Sequence, residues 1–247
     1  MIRIAAVIGL LGILVGGIWV VKTGGDKVLW KKEEASSSRI GHYSERDKIV
    51  LPPPKTSGLV SVEAAIAKRR SERDFSTQAV EVEKLSQLLW AAQGITDEVG
   101  GFKRAAPSAG ALYPLELFII IGQVSALEPG LYHYLPFLHK LELIESGDLR
   151  GRLARAALSQ QFIAAAPLSI VITAEYERVT GKYGQRGVTY THIEVGHVGE
   201  NLFLQAEALG LATVPVGAFY DEPVSQLLKL SSDLTPLYIM PFGYPRR

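Results

Sequence analysis

The segment Leu115–Gly122, with Phe118-Ile119-Ile120-Ile121 at its centre, constrains the fold more than any other stretch. Large apolar side chains that follow one another without polar alternation read as a buried strand. Leu168–Ala174 has the same character, and Leu237–Gly243 reads as a final strand. Gly130–Leu135 and Lys140–Glu145 supply two more. Helical spacing recurs between and around these strands. Val82–Gln93 repeats apolar residues at Leu85, Leu88, Leu89 and Ala92, with Gly94 placed to end the helix. Val62–Arg69 is a shorter helix that Ser61 can cap. Leu149–Ala157 and Gln160–Ala165 also read as helical, and Glu194–Gly210 is the strongest helix of the chain. Such intermixing places the protein in the α+β class or a mixed α/β class.

A chain of 247 residues buries one full-sized core or two small ones. Its net charge of +1 gives no case for nucleic acid or for an acidic partner. With no cysteine, disulfides, thiolate metal sites and a lipidated cysteine are excluded. Residues 4–21 are uncharged, bounded by Arg3 and Lys22. A run of about 18 residues is nearly long enough to cross a bilayer as a helix. No small-residue cleavage site stands near Val20-Val21-Lys22, so residues 1–22 are expected to be a retained single-pass membrane anchor. Lys22, Lys27, Lys31 and Lys32 lie on its C-terminal side, which places the main domain in the cytoplasm. Residues 23–58 are polar, end in Pro52-Pro53-Pro54, and read as a tether. The globular domain is expected over residues 59–247.

Chemistry-bearing residues gather in three segments. The first is Lys68-Arg69-Arg70-Ser71-Glu72-Arg73, where guanidinium forks and a hydroxyl suit a phosphate. The second is Pro107-Ser108-Ala109-Gly110, continuing to Tyr113-Pro114; its small residues let backbone approach a flat ligand closely. The third is the loop Pro215-Val216-Gly217 after the long helix. Taken singly, each also reads as an ordinary charged face or turn. No G-x-G-x-x-G lies between a strand and a helix, so a Rossmann dinucleotide domain is unsupported. His192 and His197 stand five apart and do not form H-E-x-x-H, so no metal site is expected.

In this order the three segments resemble the nitroreductase-like flavoproteins, and within them the SagB/ThcOx type of dehydrogenase. The resemblance spans about residues 60–247 and implies an FMN-binding domain with a central, mostly antiparallel sheet flanked by helices. By the same resemblance Arg69, Arg70, Ser71 and Arg73 hold the FMN phosphate and ribityl chain. Pro107, Ser108, Ala109 and Gly110 line the flavin, and Pro215, Val216 and Gly217 lie near its N5. The C-terminal Arg246 and Arg247 return to the phosphate in a looser correspondence. The family implies a homodimer with FMN at the subunit interface, the long helix at its centre and the stripe Glu194, His197, Asn201 and Gln205 facing that interface. SagB-type enzymes that oxidise thiazolines or oxazolines use a lysine–tyrosine pair near Lys182-Tyr183, here read as part of a loop. The expected function is an FMN-dependent oxidoreductase passing hydride between an organic substrate, such as a peptide azoline, and flavin N5. Two alternatives stay open: an NAD(P)H-dependent nitro- or quinone reductase, for which a membrane anchor favours a quinone, and a non-catalytic, membrane-tethered flavin-binding protein.

Overall fold

The structure is a computed structural model. It describes residues 48–97 and 103–246, together with the backbone pairing of three strands earlier in the chain. The chain divides into two compact units, Met1–His42 and Tyr43–Arg247.

In the first unit, β1 (Gly12–Val15), β2 (Ile18–Val21) and β3 (Leu29–Lys31) form an antiparallel sheet in that order. Val15 pairs with Ile18, and Gly12 with Val21. This corrects the membrane anchor and the location drawn from it. The run holds enough residues for a spanning helix, but it is β-branched at Ile13, Val15, Ile18, Val20 and Val21. Gly16-Gly17 divides it in two, a composition that favours paired strands over a helix. Among the described residues no helix is long and apolar enough to cross a membrane. The anchor's support for a quinone substrate, for a membrane partner and for a cytoplasmic domain goes with it.

The second unit is built on a seven-stranded sheet. Its strands are β4 (Lys48–Val50), β7 (Leu115–Ile121), β8 (Gly130–Leu135), β9 (Lys140–Ser146), β10 (Leu168–Glu175), β11 (Ala212–Thr213) and β12 (Leu234–Gly243). They run in the order β11-β12-β10-β7-β8-β9-β4, and every neighbouring pair is antiparallel. A separate hairpin pairs β5 (Ile95–Asp97) with β6 (Lys103–Arg104).

The unbroken apolar run of β7 is explained by its central place. All seven of its residues are buried. Leu115, Leu117, Ile119 and Ile121 face one core, while Phe118 and Ile120 are buried on the opposite face. Full burial of such a side chain contributes about 1.5–3 kcal/mol, so Ile119→Ala is expected to cost about 2–5 kcal/mol. Helix α2 (Val82–Gln93) lays Leu85, Leu88, Leu89 and Ala92 on the first core, and α6 (Arg186–Ala208) adds Val195, Val198, Leu202 and Ala206. Helix α1 (Val62–Lys68) is capped by Ser61, whose Oγ accepts from the Ala64 N–H at 3.2 Å.

Further helices are α3 (Arg150–Ala156), α4 (Gln161–Ala165), α5 (Glu177–Tyr183) and α7 (Asp221–Leu227). The expected helices and strands are present. The long helix starts eight residues earlier than read, at Arg186 instead of Glu194. Lys182 and Tyr183 stand in the last turn of α5, and Gly184 at φ 57° makes the corner into α6. The segment read as a tether is structured at its end. Lys48–Val50 pairs with β9, Leu51 is buried, and the Lys55 N–H donates to Gln87 Oε1 at 2.8 Å.

Candidate active site

The loop leading into β7 carries concentrated backbone strain. Ser108 precedes a 3-10 turn, Ala109–Ala111, in which Gly110 sits at φ 63°. Ala111 at φ 53° and Tyr113 at φ 47° follow in the same left-handed region, which costs a residue with a β-carbon about 1–2 kcal/mol. Three hydrogen bonds hold Tyr113 there. Its N–H donates to Ser108 Oγ at 2.9 Å, its carbonyl accepts from Arg178 Nη1 at 3.0 Å, and its hydroxyl accepts from the Arg104 N–H at 3.1 Å. Arg104 in turn donates to Gln93 Oε1 at 2.9 Å and lies over the Tyr113 ring, 4.6 Å from its centroid.

Gly110 is required by more than its φ. A β-carbon built there would stand 2.7 Å from Tyr183 Oη and 3.0 Å from Lys182 Nζ. The end of α5 therefore closes directly on the Pro107–Gly110 loop, and the structure brings together two motifs that lie far apart in the sequence. Tyr183 also stands edge-on to Tyr190 of α6, with ring centroids 5.3 Å apart. Arg178 fixes α5 in this position. Its guanidinium pairs with Glu116 Oε1 at 2.7 Å and Glu175 Oε2 at 2.6 Å while donating to the Tyr113 carbonyl. Burial pushes the Glu116 carboxyl up, but the hydrogen bond from His133 at 2.9 Å and the Arg178 charge outweigh it and hold it at about 2. The same arginine thus joins α5 to the loop and to the centre of the sheet.

Between the loop and α6 lies a cleft of about 250 Å³. Pro107, Ser108 and Ala109 of the loop and Tyr190, Ile193, Glu194 and His197 of α6 line it. Glu194 is only 2% exposed, and its Oε1 has no hydrogen-bond partner. Burial pushes its carboxyl up to about 7, against the opposing pull of the Ser108 hydrogen bond and the Arg104 charge. It was read only as one member of a polar stripe. The signal that could have singled it out is a carboxylate between Ile193 and Val195 on a helix whose neighbouring turns are apolar. Two other members of that stripe bond within the chain. Asn201 Nδ2 donates to the Ala91 carbonyl at 3.0 Å, and Gln205 Oε1 accepts from Gln87 Nε2 at 3.3 Å. Both bonds go to α2.

The basic cluster lies against a different stretch of α6. Arg69 stands over the Phe203 ring, 5.1 Å from its centroid, and Arg73 over Phe162 at 5.8 Å. Arg70 folds back on its own helix, where Nη1 donates to the Lys68 carbonyl at 3.0 Å. Ser71 bridges to Thr213, and the Glu72 N–H donates to the Thr213 carbonyl at 3.0 Å, so the cluster adjoins β11 and the loop after it. In that loop Val216 exchanges backbone bonds with Ile239 at 2.8 and 3.0 Å, with Pro215 and Gly217 on either side. Arg246 ties the chain end to the same region: its N–H donates to the Asp74 carbonyl at 3.0 Å and its Nη2 to the Phe75 carbonyl at 3.2 Å. Arg247 lies outside the described residues. Among the described residues, no acidic side chain pairs with Arg69, Arg70 or Arg73.

Two groups of residues emerge. Arg69–Arg73, Thr213, Pro215–Gly217 and Arg246 form one. Pro107–Gly110, Lys182, Tyr183, Glu194 and His197 form the other. From Glu194 to Phe203 along α6 is about 14 Å at 1.5 Å per residue.

The sequence matches the nitroreductase family over residues 66–244. The chain belongs to the nitroreductase family. Among its relatives, the Methanocaldococcus jannaschii protein MJ1384 is 46% identical over 184 residues, covering 74% of this chain and 91% of that protein. McbC, a microcin B17-processing protein of Escherichia coli, is 27% identical over 150 residues, 58% of this chain and about half (55%) of McbC. A Ralstonia eutropha crystal structure titled as a nitroreductase superposes with a TM-score of 0.71 at 29% identity, covering 81% of this chain and 90% of that one. A chain of the E. coli microcin synthetase McbBCD complex with truncated pro-MccB17 superposes with a TM-score of 0.63 at 22% identity, covering 90% of this chain and 85% of that one, which shows the shared fold. Family membership makes the chain an oxidoreductase by lineage. FMN, the cofactor the family implies, fits the residues present. Arg69 and Arg73 offer guanidinium forks without acidic partners among the described residues, Thr213 Oγ1 beside them is buried and unbonded, and the small residues Pro107, Ser108 and Ala109 line the cleft.

Proposed function

We propose that the chain is an FMN-dependent oxidoreductase of the SagB/ThcOx type that oxidises a peptide azoline. The observation that carries this reading is the closure of Lys182 and Tyr183 on Gly110, which sets a proton-accepting pair against the loop expected to line a flavin. The relationship to McbC, named for microcin B17 processing, supports it. When bound, FMN supplies a two-electron acceptor at N5. This chain's residues supply the rest. Arg69 and Arg73 hold the phosphate, with Arg70, Ser71 and Arg246 around them. Pro107–Gly110 and Pro215–Gly217 shape the ring site, and Lys182 or Tyr183 takes a proton from the substrate carbon next to the one that gives up hydride, leaving a double bond between them.

The two groups of residues adjoin separate stretches of α6, and Val62 and Ile66 of α1 and Ile193 of α6 are exposed apolar side chains. Both facts support a homodimer in which one copy's basic cluster faces the other's Pro107–Gly110 loop. The second reading is NAD(P)H-dependent nitro reduction, favoured by the R. eutropha structure titled as a nitroreductase.

The test is reconstitution of the full chain with FMN. Arg69→Ala combined with Arg73→Ala is expected to weaken FMN by several kcal/mol, at about 1.5–3 kcal/mol per charged hydrogen bond. Failure to bind FMN, or unchanged affinity in that double variant, overturns the flavin assignment.

A further inference from the structure

The buried carboxyl of Glu194 has no role in the scheme above, yet it lines the cleft. Ser108 faces it from the loop, Arg104 from β6 and Gln93 from α2; on α6 itself, Tyr190 and His197 share its cleft. Lys182 and Tyr183 of α5 reach the same loop at Gly110. Arg104 is the cation whose charge acts on it, but its guanidinium is engaged with Gln93 Oε1 and lies over Tyr113 and Phe137. Glu194 Oε1 is left unbonded in a 2% exposed side chain.

Ser108 has little freedom of its own. A serine hydroxyl carries one proton and two lone pairs. One lone pair already accepts the Tyr113 N–H at 2.9 Å. A carboxylate at Glu194 draws the remaining proton inward. Facing a carboxylic acid, the roles reverse. The acid's O–H donates to the second lone pair, and the serine proton is released towards the cleft.

We propose that Glu194 is a positioning residue of this site, whose proton decides whether the Ser108 hydroxyl donates inward to the protein or outward to the molecule in the cleft. The proposal rests on the flavin reading, which makes that molecule a ring system with carbonyl and ring-nitrogen acceptors. No electrons move in the step. Glu194 takes one proton from solvent, and the Ser108 O–H turns outward. The carboxyl's displacement to about 7 puts the exchange within the physiological range.

The experiment is FMN titration of the full chain from about pH 6 to about pH 8.5, in wild type and Glu194→Gln. A glutamine amide does not titrate, so the variant removes the switch. Wild-type affinity is expected to fall about three- to tenfold as pH rises through the window, the worth of one neutral hydrogen bond. The variant should show no such fall. The second ionisation of the FMN phosphate, near pH 6, is common to both proteins and cancels in the comparison. Superimposable pH profiles overturn the proposal. If neither protein binds FMN at any pH, the flavin reading is what fails, and the coupling is then decided on the protein alone. The infrared carboxylic-acid band absent from Glu194→Gln should titrate near 7 in wild type. It should titrate higher in Ser108→Ala, which loses the hydrogen bond that draws the value down. A midpoint unmoved by Ser108→Ala overturns the coupling.

Discussion

Gly110→Ala tests whether the loop and the end of α5 are built against each other. Two separate costs are expected. An alanine at φ 63° pays about 1–2 kcal/mol for the left-handed conformation. In a chain of this size that lowers Tm by about 2–8 °C. The second cost is steric. A β-carbon 2.7 Å from Tyr183 Oη and 3.0 Å from Lys182 Nζ forces the ends of both side chains to move. Removing the Tyr183 hydroxyl relieves the tighter contact and leaves the backbone cost untouched. The double variant Gly110→Ala with Tyr183→Phe should therefore recover part of the lost Tm, with a coupling of about 0.5–1.5 kcal/mol. Gly181→Ala is the internal control. No atom lies within 4 Å of its added carbon, and an alanine in helix α5 should stabilise by about 0.5–1 kcal/mol. The assay is thermal unfolding of the four variants by calorimetry. Additivity within about 0.3–0.5 kcal/mol between the Gly110 and Tyr183 changes would refute the contact.

Three further outcomes are expected. Glu194 makes wild-type stability fall as pH rises from 4.5 through about 7, because the folded carboxyl binds its proton more tightly than the unfolded one. At about 1.4 kcal/mol per pH unit the loss is about 3 kcal/mol, and urea denaturation of Glu194→Gln should lack it. Arg178→Met should destabilise by about 3–5 kcal/mol by leaving Glu116 buried without its guanidinium, measured by the same denaturation. In wild type, the Glu116 contribution is present above 4.5 and is lost as pH falls through about 2. Lys182→Ala should abolish azoline oxidation while leaving FMN bound; intact oxidation with a thiazoline peptide excludes the lysine from the chemistry, while NADH-driven nitro reduction unaffected by it favours the second reading.

Much of the sheet was legible because its strands advertise burial. Leu117–Ile121 is apolar on both faces, and Leu168–Ala174 is apolar on one and keeps Val171 between Ser169 and Thr173 on the other, so both read as interior. The N-terminal run was misread for a related reason: apolar length alone does not separate a spanning helix from a hairpin, and the Gly16-Gly17 break carried the distinction. Helix α7 went unread although Asp221-Glu222-Pro223 is a fair helix start, with acids and a proline in the first turn. Strand β4 is three residues long and has no period to detect. For the site, residue types marked Lys182-Tyr183 and Pro107–Gly110, but their meeting depends on α5, which glycine and charge had disguised as a loop. Glu194 was visible as a residue and invisible as a site, since its character comes from Ser108, Arg104 and Gln93 on three other elements.

The length of α6 has a consequence for how this chain can vary. One helix carries Glu194 and His197 at one station and the seat of Arg69, Phe203, at another. A loop absorbs an inserted residue locally; a helix cannot. One residue gained or lost between His197 and Phe203 would turn one station by about 100° relative to the other and slide it by about 1.5 Å. The interval between those positions is thus a fixed gauge. Drift in side chains on either side can be accommodated there, but a change in length cannot.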